Sequence, residues 1–437
     1  MRSLFLTALF VLAAISRPLF ALDLKSEIEL AQARFGNVMA NYPIVIIDQD
    51  EMDWRYIQNG VGHKRGKEFE KIRSSLLKHY IAEKVQVELT EMQASQLEPY
   101  TSVMKDGAFA LPIVENYRTA KYKICAVFTS SANSNQRLEH ERLLGLNQPN
   151  IFTTENYDQL KWRIDYNSMA LFSLYHEISH CLDSRFMPSI YSRGEDAHTM
   201  HEAESFAESL ASLLLVDRDW TKHLKARGFH RTIYSRMVGK FMAQNSHLGF
   251  GHPFFKAGGV IYNLEPALRG VQDFITLNRN RLKEMSLAEK IAVTEEIVTK
   301  HALSSRGFNV IVNYLESTKP EEAIQLTLQR AIDWPEFFYE PYKSLISYVT
   351  YSEALVSQSF DQSISTSGIN QSESLMEIPL NRLCDALTAS SKEDYLEILL
   401  ELRSDLRTTQ SSADLQRNRA QELNELSQSL LQKCPLH

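Results

Sequence analysis

A short stretch of the chain combines two histidines and an acid at a spacing that suits metal-assisted catalysis. His176 and His180 are four residues apart, and Glu177 directly follows the first of them. Residues four apart on a helix lie on the same face, so both imidazoles can bind one ion. Glu177 could then take a proton from a water molecule as that water attacks a carbonyl group. The HExxH pattern therefore predicts two zinc ligands and a general base within five residues.

The residues around the pattern predict a helix over 168–186. Its apolar stripe is formed by Leu171, Leu174, Ile178 and Leu182. This stripe is offset from the face that carries the two histidines. With 13 histidines in the chain, chance would give on the order of a few hundredths of such a match. A helix whose polar face carries two histidines by coincidence is therefore the weaker interpretation.

A catalytic zinc site needs a third protein ligand and one open position for water. Metzincins have a glycine and a third histidine after the pattern, but Asp183 and Phe186 occupy those positions here, so that pattern fails. The next predicted helix, 201–216, instead carries Glu204 and Glu208. These two acids are four residues apart and share a helical face.

The pattern at 176–180, followed 24 residues later by Glu-x-x-x-Glu, resembles the gluzincin branch of the zincin metallopeptidases. The resemblance covers roughly residues 121–216. It implies an α+β, zincin-like catalytic domain with a small, mostly antiparallel sheet, followed by an all-helical region. It also implies one Zn²⁺ ion with Glu204 as its third ligand. Glu208 would hydrogen-bond a liganding histidine, at a position where the family usually has aspartate.

Other residues compete for these roles. The rival third ligands are Glu208, Glu202 and His201. Asp183 could also face the metal, but it is expected to hydrogen-bond a ligand or to be solvated at the helix end. Zincins bind substrate along an edge strand, which the resemblance implies for residues 121–131.

The oxyanion that develops during hydrolysis needs a donor in addition to the metal. The resemblance places this donor downstream of the histidines. The main candidates are His252, His198 and Tyr191, and His247 and Tyr262 are further candidates. His252 lies in the glycine-rich stretch 249–259, where the backbone could approach a ligand. The alternative interpretation is a structural turn with surface histidines.

The expected activity is peptide-bond hydrolysis by a zinc metallopeptidase acting on a peptide or protein substrate. One alternative is a catalytically silent zinc-binding or scaffold protein with a zincin fold. Another is an amidase acting on cell-wall peptides. The formal net charge of −7 argues against nucleic acid as the main partner, because phosphate binding usually needs a basic face.

The hydrophobic pattern predicts an α+β front half and a helical back half. Helices are predicted at 23–40, 66–84, 287–301, 320–332, 392–406 and 413–433. Strands are predicted at 44–47, 85–89 and 121–131. A Ser- and Gln-rich segment, 357–374, is predicted to be a linker. The expected domains are a catalytic domain over 22–271 and a helical domain over 272–437.

The first 21 residues resemble a secretory signal peptide. Arg2 precedes an apolar run over 4–15, and cleavage is expected after Ala21. The mature protein is therefore predicted to be secreted or periplasmic, with no membrane span. An uncleaved membrane anchor is the alternative.

Four cysteines fit an oxidising compartment. The favoured disulfide joins Cys384 and Cys434, which both lie near the C-terminus. Cys125 and Cys181 would then form the second disulfide, with buried free thiols as the alternative.

Overall fold

The structure is a computed structural model of the 437-residue chain. The residues it describes are 23–101, 108–116, 121–131, 164–183, 197–224, 226–228, 230–232, 234–235, 257, 259–317 and 319–360. The predicted signal peptide, the cysteines Cys384 and Cys434 and the helices predicted after residue 390 lie outside them. Within the described residues the chain is α+β, with a three-stranded sheet and many helices. The predicted class is therefore confirmed at this coarse level.

The chain divides into two compact units. The first contains Met1–Leu143 and Asp165–Ile178, and the second contains Leu144–Ile164 and Ser179–His437. The domain boundary predicted near residue 271 falls within the second unit and stays a prediction.

The first unit surrounds a small sheet with helices. The helices are α1 (Leu24–Phe35), α2 (Gln49–Gln58), α3 (Lys67–Val85) and α4 (Glu91–Leu97), which a 3-10 turn (Glu98–Thr101) follows. The strands are β1 (Ile44–Asp48), β2 (Phe109–Asn116) and β3 (Lys121–Thr129). Strands β1 and β3 and helices α1 and α3 confirm predicted elements, although α1 ends before Gly36 rather than at residue 40.

The sheet has the order β1-β3-β2, with β1 parallel and β2 antiparallel to β3. It is therefore mixed, and the expectation of a mostly antiparallel sheet was wrong. β3 is the central strand, so the expectation that residues 121–131 form an edge strand was also wrong. The physical reason is that β2, which was not predicted, pairs with the second side of β3. Its Pro112 cannot donate a ladder hydrogen bond, which suits an edge strand.

One face of β3 forms the core of the first unit. Ile124, Ala126 and Phe128 belong to this core and are fully buried. The ring of Phe128 stacks on Phe109 of β2 with centroids 4.7 Å apart. Burial of these side chains therefore fixes the register of β3 against both neighbours.

The strand predicted at 85–89 does not form. Val85 is the last residue of α3, and Gln86 ends that helix in the left-handed region with φ 56°. No strand is formed before Thr90, whose side chain caps α4. Leu89 is buried in the core of the first unit, and the partly buried Val87 packs against that core. The apolar pattern that predicted a strand thus comes from residues that pack on the core and are not part of the sheet.

Helix α5 (Tyr166–Leu182) begins in the first unit and ends in the second. It confirms the helix predicted over 168–186 as far as Leu182. Cys181 at its end is disulfide-bonded to Cys125 of β3, which confirms the second of the two predicted pairings.

The second unit continues with helices. They are α6 (Ala197–Leu214), α7 (Glu265–Leu282), α8 (Leu287–His301), α9 (Ser305–Glu316), α10 (Pro320–Asp333) and α11 (Pro335–Phe360). Helices α6, α8 and α10 confirm predicted elements, and α11 includes the first residues of the segment predicted to be a linker. Serine hydroxyls cap α8 and α9, because Ser286 accepts from the amide of Glu289 and Ser304 from that of Gly307. None of the helices among the described residues has the length and apolar character needed to cross a bilayer.

Candidate metal centre

Helix α5 presents His176 and His180 one turn apart. Asp165 starts the helix, because its carboxylate accepts hydrogen bonds from the backbone N–H of Ser168 at 2.9 Å and from its hydroxyl at 2.7 Å. Both histidines are buried, as is Ile178 between them. Since the helix is continuous across this turn, the spacing of the two imidazoles is fixed by regular backbone geometry.

Glu204 joins the two histidines from the next helix, α6. One ligand atom from each of His176, His180 and Glu204 lies within 4.8 Å of the others. Nε2 of His180 lies 3.6 Å from Oε1 of Glu204. Two ligands on a tetrahedral zinc ion, each at about 2.1 Å, would be about 3.4 Å apart. The three residues therefore fit the donor types and the spacing of a zinc site.

Glu177 is half-buried, unlike the two histidines beside it. A helix turns by about 100° per residue, so Glu177 leaves the helix on a different side from His176. A general base must reach both a water molecule and the substrate, and partial exposure allows this.

Small residues surround Glu204 on α6. Ala203, Ser205 and Ala207 are all fully buried, while Glu204 itself is 9% exposed. Side chains of this size allow close packing on several sides of the helix. A carboxylate at this depth has a large desolvation cost unless a cation or hydrogen-bond donors face it.

Glu208, one turn beyond Glu204, is fully buried and binds two arginines. Its Oε2 accepts from Nη2 of Arg231 at 2.7 Å and from Nη2 of Arg227 at 3.3 Å, and its Oε1 accepts from Nε of Arg227. Both oxygens of Glu208 therefore face guanidinium groups. The predicted hydrogen bond from a liganding histidine to Glu208 stays a prediction.

The positive charges of the two arginines also balance the negative charges of Glu208 and Glu204. Burial and the neighbouring Arg231 lower the pKa of Arg227 to about 10, with Glu208 opposing them, so Arg227 stays protonated at neutral pH. Burial also acts to lower the pKa of Arg231, but the carboxylates of Glu208 and Glu204 outweigh it and raise that pKa. The two acids and the two guanidinium groups therefore attract one another electrostatically.

These two arginines were not among the site residues predicted from the sequence. Arg227 and Arg231 are four residues apart, and their neighbours 226, 228, 230 and 232 are helical. An arginine pair with helical spacing, downstream of two acids with the same spacing, is the signal that could have suggested the network.

His201, a rival for the third ligand, is held by backbone groups instead. Its Nε2 accepts from the N–H of Leu303 at 3.1 Å, so the ring proton lies on Nδ1, which donates to the carbonyl of Ile261 at 3.0 Å. Burial lowers the pKa of His201 to about 4. His201 is therefore neutral and uses both ring nitrogens to join α6 to two other segments of the unit. Glu202, another rival, is half-buried and is not in the group of three.

The remaining candidates are placed as follows. Asp183 is fully buried directly after α5, and its backbone N–H donates to the carbonyl of His180 at 3.1 Å. Nε2 of His198 donates to the carbonyl of Leu303 at 2.7 Å. The ring of Tyr262 lies against the guanidinium of Arg231, 5.6 Å from its centroid. The other candidates, Tyr191, His247 and His252, lie outside the described residues. The roles predicted for Asp183 and His198 stay predictions.

Comparison with known proteins gave no match. No protein-family model matches the chain, and no curated protein or solved structure matches it either.

Proposed function

We propose that this chain is a zinc-dependent hydrolase that cleaves peptide bonds. The observation that carries the proposal is the group formed by His176, His180 and Glu204, whose ligand atoms lie within 4.8 Å of one another. Two imidazoles and one carboxylate are the ligands of many hydrolytic zinc sites, which leave a fourth position open. The half-buried Glu177 beside the first ligand supplies the base that such a site needs.

In this proposal each residue has a separate role. His176, His180 and Glu204 hold the ion, which when bound makes water acidic near neutral pH and polarises a carbonyl group. Glu177 accepts a proton from the attacking water as the new C–O bond forms. The same carboxyl group then donates that proton to the amide nitrogen as the C–N bond breaks, which releases an amine and a carboxylic acid.

The arginines set the charge around the ligands. Arg231 and Arg227 bind Glu208, and Arg231 is close enough to Glu204 for their charges to attract each other. An anionic Glu204 is the form that binds a metal ion. We therefore assign Arg227, Arg231 and Glu208 as positioning residues, because they act through α6 and Glu204 rather than on a substrate.

The proposal extends to the fold and the compartment. A helix with HExxH followed by a helix with Glu204 supports a zincin-like catalytic core within the α+β chain. The Cys125–Cys181 disulfide supports an oxidising compartment, in line with the predicted signal peptide. Secretion or export to a periplasm is therefore part of the proposal.

The test compares the full-length wild-type protein with Glu177→Gln. Metal content is measured on both proteins, and hydrolysis is measured on a broad library of peptides. Glutamine keeps the shape of the side chain but cannot act as a base. We expect both proteins to bind one zinc ion, and the variant to lose about 10²–10⁴-fold in rate. Glu284→Gln, on an exposed residue after α7, is the matched control and should keep the wild-type rate.

The outcomes separate the interpretations. Loss of hydrolysis on chelation and in Glu177→Gln, with zinc still bound to the variant, would support the proposal. Zinc in both proteins without hydrolysis of any peptide would instead identify a zinc-binding or scaffold protein. Wild-type activity in Glu177→Gln would overturn the role of the glutamate.

A further inference from the structure

The second unit contains a cavity at the side of α7, α8 and α11. Its volume is about 340 Å³, within the range of cavities that bind small molecules. Charged side chains from all three helices line it, including Arg269, Lys300, Glu340 and Lys343. Every lining residue belongs to the second unit, and none of them is a member of the candidate metal centre.

The wall of the cavity carries more positive than negative side chains. Arg269 forms a two-point ion pair with Glu265, with contacts of 3.0 Å and 2.6 Å, so its charge is balanced within the wall. Lys300 and Lys343 form no ion pair with any residue that the structure describes. Against these two ammonium groups the wall has one further carboxylate, that of Glu340. The cavity is thus cationic in a chain whose net charge is negative.

The carboxylate of Glu340 is held by hydroxyl groups. Oε1 of Glu340 accepts from the hydroxyl of Ser344 at 2.7 Å, and Oε2 accepts from that of Ser304. These contacts orient the carboxylate along its own helix and toward α9. Glu340 therefore attracts Lys343 through space without forming an ion pair with it.

Lys343 is half-buried, and its ammonium group carries an energetic cost in this position. Burial lowers the pKa of Lys343, and the positive charge of Arg269 lowers it further, while Glu340 opposes both. A bound anion would stabilise the charged form, because it would replace the water that the wall removes. The buried amide of Asn263 and the imidazole of His301 also line the cavity and offer hydrogen bonds to the rest of a ligand.

We propose that this cavity is a binding site for a small molecule with a carboxylate or phosphate group. Lys343 binds the anionic oxygens from α11, and Lys300 binds them from the end of α8. Lysines act as point charges for such groups, whereas the guanidinium fork of Arg269 is already occupied by Glu265. Anion binding in this cavity does not require the metal centre, so it can be tested separately from the proposed hydrolysis.

The test measures anion binding to metal-free, full-length protein by calorimetry at constant ionic strength. Inorganic phosphate and acetate are the two probes, and chloride is the reference anion. Tighter binding of phosphate or of acetate identifies which of the two groups the natural ligand carries. We expect Lys343→Met to weaken binding of the preferred probe about tenfold or more. Lys300→Met, which changes an exposed residue, should weaken it in the same direction and covers the case in which the first variant fails to fold.

Two further variants sharpen the test. Glu340→Gln removes the carboxylate that opposes an anion, so it should tighten binding. Lys283→Met removes a lysine outside the cavity and should leave binding unchanged. The proposal is overturned if neither probe binds more tightly than chloride, or if Lys300→Met and Lys343→Met bind the probes as Lys283→Met does.

Discussion

Oε1 of Glu204 lies 3.6 Å from Nε2 of His180, although the two residues belong to different helices and are 24 residues apart in the sequence. The distance is within a few tenths of an ångström of the separation expected for two ligands on one tetrahedral ion. The relationship makes Glu204 a stronger candidate for the third ligand than the rivals on the same helix. Glu208 binds two arginines, and His201 binds two backbone groups.

The first prediction concerns the metal ligands. We expect His180→Ala to weaken zinc binding by more than the roughly 10–100-fold that loss of an outer contact costs, because it removes one of three direct ligands. Glu204→Gln should also weaken binding, since a neutral amide is a poorer ligand than a carboxylate. Competition with a chelator of known affinity measures both. His79→Ala, on an exposed histidine of α3, is the control. If Glu204→Gln binds zinc as tightly as the wild type, Glu204 is not the third ligand.

The second prediction concerns the buried ion pairs of Glu208. Replacing Glu208 by glutamine leaves Arg227 and Arg231 buried without their carboxylate, which we expect to cost about 3–5 kcal/mol in the free energy of unfolding. Glu265→Gln breaks a more exposed, i,i+4 pair with Arg269 and should cost about 1 kcal/mol or less. Urea unfolding of the two variants beside the wild type measures both losses. Equal losses would mean that the network contributes no more than a surface pair.

Much of the site could be predicted because it depends on local spacing. Residues 176–180 and Glu204 lie on helices whose apolar periodicity is visible in the sequence, and the structure brings them together. The partners of Glu208 were not predicted. Arg227 and Arg231 share a helical spacing, but local spacing does not indicate that their segment packs against Glu208. The sequence therefore indicated that Glu208 is important but not which charges it faces.

The sheet shows the same limit. The β-branched and aromatic residues of β1 and β3 predict strands, and the structure confirms both. The order of the strands in the sheet depends on β2. This strand was not predicted, because its Pro112 is unfavourable in a regular strand pattern. Residues 86–89 show the opposite error, because alternation there reflects packing on the core and not ladder pairing. Local patterns thus predict which segments are buried better than they predict which segments pair.

The third prediction concerns pH. His201 is buried and neutral with a pKa of about 4, whereas an unfolded histidine has a pKa near 6.5. Between these values the unfolded chain binds more protons, so acid favours unfolding. We expect this residue alone to lower the free energy of unfolding by about 2 kcal/mol between pH 7 and pH 5.

The matched variant for this prediction is His201→Gln, which cannot titrate in this range. The measurement is the free energy of unfolding of both proteins at pH 7 and at pH 5. His301 also has a pKa lowered by burial, but it is present in both proteins and cancels in the difference. If the two proteins lose the same stability on acidification, His201 is not the group that titrates.

The fourth prediction concerns the contact between α7 and α8 at the wall of the cavity. A Cβ added at Gly270 would lie 2.6 Å from two ring atoms of His301, which is far inside van der Waals contact. Gly270→Ala should therefore lower the stability by about 1–3 kcal/mol, although alanine in a helix normally gains about 1 kcal/mol over glycine. In a His301→Ala background the ring is absent, so the same change should become neutral or stabilising by up to about 1 kcal/mol. Thermal or urea unfolding of the four proteins gives this double-mutant cycle. A loss of equal size in both backgrounds would place the cost in the backbone of α7 rather than in its contact with His301.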